Sequence, residues 1–209
     1  MIQLHRPAIS LFAFVFLATS CSTGAGDGEV FGSVDIPECG LKTDHFDIGA
    51  DFFAADYFDN TLTIRIQNTG QIPTFADGLF FVIRDVATMD AAGKDTEHKI
   101  EVIPDIATFL ALGPDAGTPT TTKASPARAT LYLNDTCPDN HLAFTDGAGT
   151  LTLKSVYIPG KQKRIAGSFQ LEFVDPRHWK SLEDTGPYAQ IEGYFDFNYT
   201  RGKPAQTFP

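Results

Sequence analysis

A chain of 209 residues is long enough for one domain with a sizeable core. Its formal charge of −10 repels nucleic acid and anionic lipid headgroups, which excludes DNA or RNA binding and polybasic membrane docking. Three cysteines without a CxxC spacing, and histidines far apart in sequence, argue against a zinc site.

Arg6 is the only early charged residue, and the apolar run Ala8 to Ala18 follows it. That run suits the core of a secretory signal but is too short for a membrane-spanning helix, which needs ~20 apolar residues. The run ends in Leu17-Ala18-Thr19-Ser20-Cys21. These residues resemble the lipobox of bacterial lipoproteins, with Leu17 one position further from the cysteine than the family's usual leucine. The resemblance implies that Cys21 receives a diacylglyceryl group, that the chain is cut before it, and that the new amine is acylated, palmitate being the usual kind of chain. Ser22 in place of aspartate implies the outer membrane. The alternative is an ordinary signal peptide, with Cys21 free or in a disulfide. Residues 1–20 carry one arginine and no acid, so their removal takes the charge to −11. Ser22 to Gly28 is small and polar and reads as a leash, giving a signal peptide over 1–20, a flexible tether over 21–29 and a folded domain over 30–209.

Period-two alternation bounded by turn residues dominates the rest, which predicts β-strands. In chain order the strands fall at Val30–Ile36, Thr61–Asn68, Leu79–Ile83, Lys99–Ile103, Ala129–Leu133, Thr150–Ile158, Ser168–Phe173 and Glu192–Tyr199. Leu79–Ile83 is apolar throughout, as a strand covered on both faces would be, and Thr150–Ile158 has room for a bulge. Pro104-Asp105 followed by Ile106 to Gly113 reads as one short helix, and Pro114 to Pro126 as a long loop. The fold class is therefore all-β: a single antiparallel β-sandwich of about eight to nine strands with at most one short helix. A glycine precedes alternating apolar residues at Gly32, Gly167 and Gly193, where it would permit a bend or bulge. This arrangement is similar in style to other β-rich bacterial envelope lipoproteins, a likeness that implies no activity. Cys39 and Cys137 each sit at a turn signal, Pro37-Glu38-Cys39-Gly40 and Cys137-Pro138-Asp139, and are expected to pair in an exported domain.

No GxSxG, HExxH, P-loop or GxGxxG occurs, and the chain is expected not to be an enzyme. Two loops could bind ligands. Asp175, Arg177, His178 and Trp179 would let an indole stack on a sugar ring while the polar groups bond to hydroxyls, although a tryptophan folded back on the sandwich end is commoner. Asn134, Asp135, Asp139 and Asn140 gather oxygen ligands of the kind calcium takes, although Asp and Asn at such places ordinarily make turns. Asp51, Asp56, Asp59 and Asn60 form another acidic stretch, and Asp44-His45-Phe46-Asp47 could hold a metal. The expectation is a lipid-anchored outer-membrane protein without cofactor, serving a structural role or binding another envelope protein. The alternative is a carbohydrate- or calcium-binding module using the loops at 134–140 and 175–184.

Overall fold

The protein is described from a computed structural model over residues 26–71, 73–92, 96–103, 126–138, 143–144, 147–157, 159–173 and 188–199. Eleven strands join a single sheet: β1 Gly26–Ile36, β2 Leu41–Asp47, β3 Phe52–Phe58, β4 Thr61–Gln67, β5 Asp77–Ile83, β6 His98–Val102, β7 Ala127–Leu133, β8 Ala143–Phe144, β9 Gly147–Ser155, β10 Arg164–Phe173 and β11 Ala189–Asn198. Ten run in the order β2-β1-β11-β10-β9-β6-β7-β5-β4-β3, and β8 pairs with β7. Every pairing is antiparallel except β6 with β7, which meet in parallel at Val102 and Ala127. That narrow seam divides the sheet into a first limb, β2 to β6, and a second, β7 to β3.

The sheet curls so that the limbs face one another, and the all-β expectation holds. The two layers of the expected sandwich are limbs of one sheet, and the described residues form eleven strands where eight or nine were expected. Phe81 of β5 lies 5.3 Å from the ring of Phe169 on β10 and 6.2 Å from Phe195 on β11. Phe53 of β3 lies 5.9 Å from Phe197 of β11. Alternation explains these contacts. Leu62, Ile64 and Ile66, and likewise Phe169, Leu171 and Phe173, point inward and are buried. A disulfide between Cys39 and Cys137, with Cα atoms 5.6 Å apart, ties the β1–β2 turn to the turn after β7, and so ties limb to limb.

Four features differ from the sequence expectations. First, Gly26 to Glu29 is not tether: it pairs with Tyr194 to Phe197 as the start of β1. A Cβ at either Gly26 or Gly28 would come within 2.7 Å of the Phe53 ring, so the glycines are notches for that ring and not hinges. Second, β2 and β3 are additional strands at the two ends of the sheet, joined to each other by Ile48 to Asp51. Only Phe46 of β2 is buried, whereas Phe52 to Ala55 of β3 are buried consecutively, so neither strand alternates. Third, β8 is too short for a pattern. Fourth, a helix α1 forms at Val86–Ala92. Its start is held from outside its own sequence, by the Ala87 amide donating to Asn60 Oδ1 at 2.6 Å. The helix expected from 106 to 112 lies outside the described residues.

The bulge expected near the middle of residues 150–158 is present. Ser155 pairs with Ala166 and Leu153 with Gly167, which leaves Lys154 as the extra residue. Gly32 stands at a second register shift, between β1 and β2. Among the described residues, no helix is long and apolar enough to cross a membrane.

Candidate functional site

The calcium candidate is occupied by turn chemistry where it is described. Asp77 begins β5 and is buried. Its Oδ1 accepts from the amides of Asp135 at 2.9 Å and Thr136 at 3.1 Å, and its Oδ2 accepts from the Thr136 hydroxyl. Asn134 Nδ2 donates to the Pro73 carbonyl at 2.8 Å, and Asn68 Nδ2 donates to Asp135 Oδ2 at 3.3 Å. Asn134 and Asp135 thus shape the turn that carries Cys137. Asp139 and Asn140 lie outside the described residues. An Asp77→Ala variant should lose about 1–3 kcal/mol in urea unfolding, because two amides lose a buried acceptor. An unchanged midpoint would show that water replaces the carboxylate without cost.

Beside this turn a polar seam is buried on the face of the second limb turned away from the core. Gln67 is fully buried, and its Oε1 accepts from the Tyr132 hydroxyl at 2.8 Å. Its Nε2 donates to the Gln71 carbonyl at 2.7 Å and also to the Thr69 carbonyl. Tyr132 lies over Gly78, where a Cβ would come within 2.3 Å of the phenol oxygen. Burial pushes the Tyr132 hydroxyl well above its ordinary range, so it stays protonated and keeps donating. Burial lowers the Arg65 pKa.

The remaining sequence candidates are not drawn together. Asp59 and Asn60 form the β3–β4 turn with φ of 46° and 60°, the left-handed pair that a two-residue hairpin needs. Asp51 donates its amide to Gln67, and Asp56 is an exposed residue of β3. Asp44, His45 and Asp47 are exposed along β2, and Asp47 Oδ1 accepts from the Gly49 amide at 2.8 Å. Among the described residues, no group of three or more His, Cys, Asp or Glu could hold a metal. Cys21 and the set Asp175, Arg177, His178 and Trp179 lie outside the described residues.

A site emerges instead on the outer face of the first limb, built by strand register. Glu172 stands opposite Gln190, Gln170 opposite Glu192 and Ser168 opposite Tyr194 across β10 and β11. β9 adds Thr150 beside Gln170 and Thr152 beside Ser168, and β1 adds Phe31 beside Glu192. Gln170 Nε2 donates to Glu192 Oε2 at 3.4 Å, and Gln190 Nε2 donates to Glu172 Oε1 at 3.3 Å. Amides and carboxylates thus alternate across both strands. Phe31 and Tyr194 are 39% and 37% exposed on this otherwise polar face. The Tyr194 hydroxyl donates to Asp27 Oδ1 at 3.5 Å; its pKa is raised by desolvation first, then by the charges of Asp27 and Glu29.

This face is hollowed. One trough of about 700 Å³ runs over Ser33, Thr150, Gln170, Glu172, Gln190 and Glu192. A second of about 590 Å³ shares Thr150, Gln170 and Glu192 with it and continues to Lys99, Thr152, Ser168, Phe31 and Tyr194. Both volumes fall within the usual range for small-molecule sites, ~300–1,000 Å³. Alternation alone marks Gln170 and Glu172 as the outer residues of their strand. Their meeting with Gln190 and Glu192 depends on register, for which a hairpin signal around residues 174–187 would have been needed. Compared with known proteins, the chain matches no family model, no curated protein and no solved structure.

Proposed function

We propose that this protein is a lipid-anchored, non-catalytic module of the bacterial cell envelope, held at the outer membrane through Cys21. It would act by binding or by supporting another envelope component. The observation that carries this reading is a lipobox-like segment followed by a disulfide-stapled domain. A Cys39–Cys137 disulfide suits an exported chain, since cytosolic thiols are kept reduced. The absence of catalytic motifs supports a binding role. The acidic balance also supports it, because a lipid and not a basic surface would then supply the membrane affinity, at ~0.8 kcal/mol per buried methylene.

Cys21→Ser is the test. The parent protein should incorporate labelled palmitate and sediment with outer membranes, and the serine variant should do neither. Affinity purification of the anchored form should also recover an envelope partner that the serine variant lacks. If the parent protein partitions like the variant, the anchored reading fails.

A further inference from the structure

We infer that the trough on the outer face of the first limb binds a neutral oligosaccharide chain, laid across the strands. The inference concerns binding alone and stands whether or not Cys21 carries lipid. Three features of the face lead to this ligand class.

The first is hydrogen-bonding pattern. The carboxylates of Glu172 and Glu192 are each coupled to a glutamine amide on the neighbouring strand. What faces outward is therefore an alternation of donors and acceptors. A carboxylate accepts only, and an amide both donates and accepts. Vicinal hydroxyls of a sugar, each able to do both, complement that alternation. The hydroxyls of Thr150, Thr152 and Ser168 extend it toward β6.

The second feature is the pair of exposed rings. Phe31 stands opposite Glu192, and Tyr194 lies two residues along the same strand from Glu192 on the same face. Apolar rings next to paired polar groups are what the C–H face and the hydroxyl rim of a pyranose require together.

The third is shape and charge. The trough crosses β6, β9, β10, β11 and β1, which is four inter-strand spacings of ~4.8 Å, or roughly 19 Å. One spacing is close to the width of a hexose ring, so the trough has room for about four units. Glu29, Glu101, Glu172 and Glu192 on this face, against Lys99, repel uronic, sulfated or phosphorylated chains and leave the neutral ones.

The test is calorimetric titration of the purified, disulfide-intact protein, whichever fraction of the cell it is recovered from. The probes are neutral chains of β-linked glucose, β-linked N-acetylglucosamine and α-linked glucose, from dimers to hexamers. One series should bind, with affinity rising with length and levelling off at about four units. Tyr194→Ala and Gln170→Glu should each weaken that binding roughly tenfold or more, while Phe58→Ala, at an exposed ring on the second limb, should leave it unchanged. Circular dichroism and the melting midpoint show that each variant is folded. Gln170→Glu is nearly isosteric, so it reports on the site even if Tyr194→Ala does not fold. The inference is overturned if no series binds, or if binding is indifferent to both variants. It is also overturned if the face instead captures a lysine-rich peptide whose affinity rises in Gln170→Glu, since that outcome would mark a docking surface for a basic protein.

Discussion

Replacing Cys39 and Cys137 together by serine should lower the melting midpoint by roughly 10–20 °C. The two cysteines are 98 residues apart in sequence. Closing a loop of ~100 residues removes about 4.7 kcal/mol of chain entropy from the unfolded state in the simplest treatment. For a chain of this size, each kcal/mol moves the midpoint by ~2–4 °C. The fold gives the bond further weight, because it is a side-chain crosslink between two limbs whose strands, among the described residues, pair with each other only at the short parallel seam of β6 and β7, Val102 with Ala127. Scanning calorimetry with and without reductant checks the expectation. The reduced parent protein should melt close to the double-serine variant. A parent midpoint indifferent to reductant would mean that the core alone holds the limbs together.

The second large effect is expected at Phe81. Its side chain is fully buried on β5, and its ring reaches Phe169 and Phe195 across the core. Phe81→Ala removes contacts from both limbs at once and should cost about 3–5 kcal/mol in urea unfolding. Phe81→Leu keeps most of the volume and should cost less than ~1.5 kcal/mol. The dependence on urea should stay the same in both, since the surface exposed on unfolding hardly changes. Equal losses for the two substitutions would mean that ring geometry and not filled volume governs this part of the core.

Strands with one wet face were legible in the sequence. β10 and β11 alternate because each has a core side and a solvent side along most of its length, and β4 alternates in sequence because its outward side carries polar residues although part of it is buried; β5 reads as covered because both of its faces are largely buried. The disulfide was legible because its cysteines stand at turns. The rest was hidden where local composition serves a distant neighbour. Gly26 and Gly28 look like a leash but make room for Phe53, and α1 takes its cap from Asn60. Gln67 reads as a solvent-facing residue of an alternating strand yet is fully buried on Tyr132. The trough was hidden for a similar reason. Each of its polar residues is an unremarkable outward position, and only the β10–β11 register sets Gln170 against Glu192 and Glu172 against Gln190.

If Cys21 carries the proposed lipid, pairing of β1 from Gly26 onward also sets the reach of the molecule. Between Cys21 and Gly26 there are five steps of chain, at most ~18 Å when fully drawn out. β1 itself runs ten steps further, roughly 33 Å, to Ile36, and the Cys39–Cys137 staple lies just beyond. Even fully extended, those five steps are shorter than β1. On the proposed anchoring, whatever the domain meets would come within a few tens of ångströms of the bilayer surface.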